Sequence, residues 1–288
     1  MNFAGPEFFQ LDLAEHRIVG ERWRVQQTAS QRPEVVLLHG GGQTRHSWKR
    51  TASRLNGQGW TATALDARGH GDSEWHPGGD YSLDGFVFDL LAYTGTLERP
   101  PVLVGASLGG MTALVAAGEH PGSVSAIVLV DIVIEAEPRG VERIRDFMTA
   151  HGNGFASLEE VSAAIAAYNP HRPRPPSLDG LRKNVHQHDD GRFYWHWDPA
   201  FIATSSDEPQ RRIGRERLRA AAHNIKVPTL LVRGLQSEVV SDAGLADMVS
   251  RIPQAEVSEV GAAGHMIAGD DNDMFAGRLA EFLAGLPA

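Results

Sequence analysis

"VLVGASLGGMTALVAA", residues 102–117, joins an apolar run with the character of a buried strand to an Ala-rich run with the character of a helix, and places Ser107 at the junction. A serine there can simply cap the helix. The local pattern Gly105-Ala106-Ser107-Leu108-Gly109, with Gly110 following, suits something sharper: a strand-to-helix turn whose middle residue holds strained dihedrals while its neighbours touch the backbone. Such a turn exposes the hydroxyl and aims the first helical N–H groups at negative charge developing beside it. A serine hydroxyl is a poor nucleophile until a histidine accepts its proton and an acid fixes that histidine's tautomer, so the remaining chain has to supply both.

Working outward, the same strand-then-helix rhythm repeats. "EVVLLHG" (34–40) reads as a buried strand entering a loop, "SWKRTASRLNGQGW" as a helix, and "TATALD" as a strand ending at Asp66. After the loop "ARGHGDSEWHPGGD", the segment "SLDGFVFDLLAYTGTL" reads as a helix capped by Ser82; "PVLVGA", residues 108–119 and "VSAIVLVD" continue as strand, helix and strand. Short, nearly continuous apolar strands alternating with helices predict a mostly parallel sheet covered on both faces. "FFQLDL" and "RWRVQQT" have the length of a leading antiparallel pair.

After Asp131 the rhythm stops. Residues 132–222 hold helix-like pieces such as "GVERIRDFM" and "LEEVSAAIAAY" and the aromatic cluster "RFYWHWDPAF", with no strand of the preceding kind. About ninety residues between two core strands exceed an ordinary connection and predict an inserted helical cap. The rhythm resumes with "KVPTLLVRG", a helix near 241–251, "AEVSEV" and a last helix in "NDMFAGRLAEFLAG". The expected organisation is a core formed by 1–131 and 223–288 around a cap at 132–222.

Composition narrows the classes of function. The 27 Lys+Arg against 36 Asp+Glu give a formal charge of −9, which favours solubility and gives no reason to expect a nucleic-acid surface; the partner expected is a small-molecule substrate. Cysteine is absent, which removes disulfides, thiol nucleophiles and thiolate metal sites. The N-terminus lacks the basic start and apolar core of a signal peptide, and no run approaches ~20 apolar residues. A soluble cytoplasmic protein with no membrane partner is expected, with homodimerisation open.

His265, in the small-residue loop "VGAAGHMIAGDD" between the last strand and last helix, is the candidate base, because a ring there can reach across the carboxyl ends of the strands. Taken together, "LLHGGG" (37–42), "LDARGHGDS" (65–73), "GASLGG" (105–110) and "GAAGHM" (261–266) resemble, in content and order, the landmarks of the α/β-hydrolase fold superfamily. Within it the chain is similar to capped members such as haloalkane dehalogenases, epoxide hydrolases and small esterases. The resemblance implies an eight-stranded, mostly parallel α/β sheet with an inserted helical cap. It also implies an oxyanion hole from the N–H groups of Gly41 and Leu108, with Gly42 supporting; a glycine at 41 suits a loop that approaches a tetrahedral intermediate closely.

The acid departs from the commonest family pattern. Many members carry an aspartate three residues beyond the glycine that ends the strand after the cap; in "LVRGLQSEVVS" that position is Ser237, which cannot supply a charge. Asp131, 24 residues after Ser107, matches the acid placement of the haloalkane dehalogenases and is the preferred candidate, although it could also cap a following helix. Glu238, one position beyond Ser237, is the alternative.

Those dehalogenases and epoxide hydrolases use an aspartate nucleophile, whereas a serine attached to an alkyl group would be an inert ether. Ser107 therefore implies attack on a carbonyl, an acyl-enzyme, and a Ser107-His265-Asp131 triad acting on an ester. Carbon-carbon hydrolysis, a cofactor-independent oxygenase using a His265-Asp131 dyad, and a non-catalytic ligand receptor are the other readings. His39, His46, His196, Trp195 and Trp197 are expected to line the site, with Gly42 also at the substrate; Phe193 and Tyr194 extend the aromatic set. Asp66, Arg68, His70 and Asp72 read as a loop fixed by aspartate-arginine pairing rather than as metal ligands. Asp270, Asp271 and Asp273 lack the glycine-centred calcium pattern. No metal or other cofactor is expected.

Overall fold

A computed structural model describes residues 5–25, 32–170, 177–205, 208–261 and 273–287. Eight strands form one sheet: β1 (Glu7–Asp12), β2 (Arg17–Trp23), β3 (Val35–Leu38), β4 (Ala62–Asp66), β5 (Val102–Ala106), β6 (Ala126–Val130), β9 (Thr229–Gly234) and β10 (Glu256–Val260), with β7 and β8 lying elsewhere. Their spatial order is β1-β2-β4-β3-β5-β6-β9-β10. The pairs β1-β2 and β2-β4 are antiparallel, and every pairing from β4 onward is parallel. In β3, β4, β5 and β6 every residue is buried, as expected of strands covered on both faces.

Helices supply the covers. On one face α2 (Leu83–Thr94) and α3 (Leu108–Glu119) pack with Leu103, Ile127 and Leu129 of the sheet. On the other, α1 (Lys49–Gly57) and α9 (Asp273–Ala284) cover Val35, Val104 and Val128 with Trp48, Leu55 and Phe282. Ser82 caps α2 as expected, its hydroxyl accepting from the Gly85 N–H at 3.2 Å.

The second strand begins earlier than "RWRVQQT" suggested. The Leu13 N–H donates to the His16 carbonyl at 2.9 Å, closing the turn at once, so pairing starts at Arg17, and Ile18 and Val19 take the buried positions.

Between β6 and β9 the inserted region carries α4 (Pro138–Thr149), α5 (Leu158–Tyr168), α6 (Pro199–Ser205) and α7 (Glu208–Asn224). It also contains a ribbon, β7 (Val185–Gln187) with β8 (Phe193–Trp195), which shares no pairing with the main sheet. Strands of three residues are too short to show an alternation, which is why the aromatic cluster gave no strand signal. The insertion has its own apolar centre, in which Met148, Phe155, Phe193, Trp195 and Phe201 pack against Tyr81, Phe86 and Leu108 of the core. Leu108 follows Ser107 directly, so the cap sits over the turn that ends β5. Farther along, Leu218, Ala221 and Ala222 of α7 leave the cap and join the core cluster beside α3.

Candidate active site

Strand β5 runs into Ser107, whose φ of 47° and ψ of −114° lie where a side-chain-bearing residue is strained. Its side chain makes no capping bond to α3, so the helix does not consume the hydroxyl. The turn is held by main chain: the Ser107 N–H donates to the Val130 carbonyl at 3.2 Å, and the Gly109 N–H to the His39 carbonyl at 3.1 Å. Two residues to either side of it, only glycine fits. A Cβ on Gly105 would lie 2.3 Å from the Gly109 oxygen, and one on Gly109 would lie 2.5 Å from the Leu38 oxygen.

The loop after β3 passes against this elbow. It forms a turn from Gly40 to Gln43, closed by the Gln43 N–H donating to the Gly40 carbonyl at 3.0 Å, with Gly42 at a φ of 72°. A Cβ on Gly40 would be 3.3 Å from the Ser107 Cβ, and one on Gly41 would be 3.3 Å from the Phe201 ring. Neither the Gly41 nor the Leu108 N–H donates to an acceptor among the described residues. Gly41, Ser107 and Leu108 all border one cavity.

His39 does not reach the cavity, contrary to the expectation that it contacts substrate. Its Nε2 accepts from the Ala67 N–H at 3.0 Å, which leaves the proton on Nδ1 to donate to the Gly40 carbonyl at 2.8 Å. Burial pushes the ring down to about 4, so it is neutral and serves as a brace beneath the glycine turn. His196 is likewise buried and neutral: its Nδ1 accepts from the Gly71 N–H at 2.8 Å, and its Nε2–H donates to the Gly42 carbonyl at 3.3 Å. Of the named histidines, His46 does line the cavity. His265 lies outside the described residues, as do Asp270 and Asp271.

Asp131 follows β6 with a φ of 52° and is 1% exposed. Its carboxylate accepts from the Gly234 N–H at 3.1 Å and from the Ser237 hydroxyl at 2.6 Å, and it borders the same cavity as Ser107. It does not cap a cap helix, since α4 begins at Pro138 behind Glu137. Glu238 faces away: its carboxylate is 59% exposed and paired with Arg143 on the surface. Ser237 is the residue that sequence reasoning undervalued. It cannot supply a charge, yet its hydroxyl bridges the turn after β9 to the carboxylate at the end of β6.

Between elbow and cap lies a cavity of about 1230 Å³. Trp195 and Trp197 form part of its wall, stacked with centroids 4.8 Å apart and planes 13° from parallel, and Phe147, Met148 and Phe201 extend the apolar lining. Phe193 is instead buried in the cap's own centre, and the Tyr194 hydroxyl turns outward to Asp190 at 2.8 Å.

Aspartate-arginine pairing does fix the 65–73 loop, but through partners outside it. Asp66 accepts from the Arg45 N–H at 2.6 Å and pairs with its guanidinium, which also reaches Asp72 at 2.8 Å; Arg68 is held bidentately by Asp89 at 2.6 and 2.7 Å. Among the described residues, no three His, Cys, Asp or Glu side chains group as metal ligands, and no helix is long and apolar enough to cross a membrane.

Residues 33–271 match the family described as the alpha/beta hydrolase fold. An esterase of Mycobacterium tuberculosis is 32% identical over 246 residues, covering 83% of this chain and 78% of the relative. The 2-(acetamidomethylene)succinate hydrolase of Mesorhizobium japonicum is 28% identical over 82% of each chain. A crystal structure of E-2-(acetamidomethylene)succinate hydrolase superposes with a TM-score of 0.82 at 23% identity, covering 97% of this chain and all of the other, a likeness of fold.

Proposed function

Because the chain belongs to the α/β-hydrolase fold family, we propose that it is a serine hydrolase cleaving carboxylic esters of small or medium, partly apolar substrates through an acyl-enzyme. The observation that carries this reading is Ser107: a strained residue whose hydroxyl does not cap its helix, at the wall of a cavity that Gly41 and Leu108 also border, with neither of their N–H groups donating to an acceptor among the described residues. The esterase and the succinate hydrolase among the relatives support it.

In the proposed mechanism the Ser107 Oγ attacks the ester carbonyl carbon as its proton passes to His265. The carbonyl oxygen, now negative, is held by the Gly41 and Leu108 N–H groups, which need no reorganisation to meet it. Collapse breaks the acyl-oxygen bond, and His265 returns its proton to the departing alkoxide. Water then attacks the acyl carbon as His265 takes its proton, and collapse of the second tetrahedral intermediate breaks the bond to Ser107 Oγ, which recovers that proton from His265 as the carboxylic acid leaves. Asp131 holds His265 in the tautomer that can accept from Ser107 and supports its charged form. The buried carboxylate of Asp131, beside the cavity, favours it over the outward-facing Glu238. Residues 1–131 and 223–288 would supply this machinery, and 132–222 would shape the space for substrate.

A panel of aliphatic and aromatic esters, assayed with simultaneous oxygen uptake, tests the proposal. Ester turnover lost in Ser107→Ala is the expected result. Oxygen consumption without ester turnover, or tight binding with neither, would replace it with an oxygenase or a receptor.

A further inference from the structure

The Gly41 N–H belongs to the peptide between Gly40 and Gly41, in a turn whose two central residues are both glycine. Such a turn has wide conformational freedom, so a fixed donor direction requires that something outside the turn hold it. The carbonyls at its two ends are both held. That of Gly40 accepts from the His39 Nδ1–H at 2.8 Å and from the Gln43 N–H at 3.0 Å. That of Gly42 accepts from the His196 Nε2–H at 3.3 Å, across 154 residues of sequence. His39 directly follows the core strand β3, whereas His196 comes from the cap, directly after β8.

We propose that His196 is a positioning residue for the oxyanion site: His39 and Gln43 hold the Gly40–Gly41 peptide from the core side, and from the cap the His196 ring holds the Gly42 carbonyl at the far end of the same turn, so that the turn cannot twist the Gly41 N–H away from the reacting oxygen. The inference rests on the esterase reading above. Its direction is set by the other ring nitrogen. Nδ1 accepts from the Gly71 N–H at 2.8 Å, which leaves the proton on Nε2, facing Gly42. Gly71 packs against the Asp66 carboxylate at a φ of 59°, where any Cβ would collide with it, and Arg45 anchors that carboxylate. The His196 main chain is tied down as well, its N–H donating to the Asn184 carbonyl at 3.2 Å and its carbonyl accepting from Trp75 Nε1 at 3.3 Å. Burial keeps the ring neutral, as a group that must both accept and donate has to be. A second cap contact bears on the same residue: a Cβ on Gly42 would meet Met148 at 3.1 Å and Trp197 at 3.4 Å. An oxyanion donor formed in the core is thus held in register by the cap.

Two amide substitutions, each placing a polar atom near one ring-nitrogen position, separate this role from mere attachment of the cap. In His196→Gln the amide can still donate to Gly42 but loses the Gly71 bond; in His196→Asn the amide oxygen can still accept from Gly71 but loses the Gly42 bond. On an activated ester, His196→Asn is expected to lower kcat by about 10- to 100-fold, less than outright removal of an oxyanion donor, with KM within about 3-fold. The rate of Ser107 phosphonylation should fall in parallel, and His196→Gln should stay within about 5-fold of wild type. Equal losses in both variants, or a loss confined to KM, would overturn the proposal. Should His196→Asn fail to fold, nitrogen-labelled imidazole spectra of the wild-type protein decide: an Nε2–H tautomer for His196 supports it and an Nδ1–H tautomer overturns it. A wild-type protein that hydrolyses no ester overturns the esterase reading and this inference together, whereas an active wild type with undiminished kcat in His196→Asn overturns this inference alone.

Discussion

The Ser237 hydroxyl donates to the Asp131 carboxylate at 2.6 Å, and its oxygen in turn accepts from the N–H groups of Val239 and Val240, each at 3.2 Å. Those two donors leave the hydroxyl proton committed to Asp131. The position that holds the acid in many members of the family thus serves here to orient an acid on the neighbouring strand. Ser237→Ala is expected to lower kcat/KM by about 10-fold, the scale of one hydrogen bond to a charged group. In Asp131→Asn/Ser237→Asp the carboxylate moves to the other strand, and part of the activity lost in Asp131→Asn should return. Steady-state kinetics of the single and double variants check both, and a double variant no better than Asp131→Asn would remove the idea that the two positions share one site.

Asp131→Asn alone should lower turnover by as much as ~10⁴-fold, the scale of the corresponding change in serine proteases, because the amide favours the wrong histidine tautomer. Glu238→Gln should change it by less than about 3-fold, since that carboxylate spends itself on an exposed pair with Arg143. Pre-steady-state acylation of both variants with one activated ester, after circular dichroism confirms folding, gives the comparison. The reverse ranking would transfer the orienting role to Glu238.

What was legible in the sequence and what was not divides along chain distance. The elbow at Ser107 could be read because the strand, the small residues and the helix lie within 16 consecutive residues, each constraining the next. The parallel sheet followed from runs such as Val35–Leu38, which are apolar at every position because both faces are covered. The Ser237–Asp131 bond spans 106 residues, and the His196–Gly42 bond spans 154. No local pattern marks either one, since serine and histidine in loops are ordinary. Arg45 was overlooked for a similar reason: an arginine in a short helical turn after a glycine loop looks solvated until Asp66 comes beneath it. His39 looks like a substrate contact because its neighbours in sequence are the glycines of the proposed oxyanion turn, although its ring points the other way, to Ala67.

Acidification should weaken the fold before it reaches the ordinary carboxylate range. Burial lowers His39 to about 4 and His70 to about 3, whereas an unfolded histidine takes up its proton near ~6.5. Below that value the unfolded chain binds more protons than the folded one, so stability is full above ~6.5 and declines as the pH falls toward about 4; His39 alone accounts for on the order of 3 kcal/mol. Urea unfolding across this interval measures the slope. His39→Gln should make it shallower, with buried His70 and His196 supplying the slope that remains, and an unchanged slope would contradict a buried neutral ring at His39.

Gly105→Ala tests the elbow through packing. Its added methyl would lie 2.3 Å from the Gly109 carbonyl oxygen, a main-chain atom that cannot rotate aside. A loss of about 2–3 kcal/mol in urea unfolding is expected, together with most of the esterase activity. Wild-type stability in this variant would mean that strand and helix do not approach as closely as the turn requires.

The nucleophile is the centre of the account, and a fluorophosphonate probe followed by peptide mass spectrometry tests it most directly. The expected result is one phosphonyl adduct per chain, on Ser107, formed at a rate that falls in Asp131→Asn and absent from Ser107→Ala. A folded protein that leaves Ser107 unlabelled while a control serine hydrolase reacts in the same tube, or one labelled at another residue with Ser107 free, would contradict it.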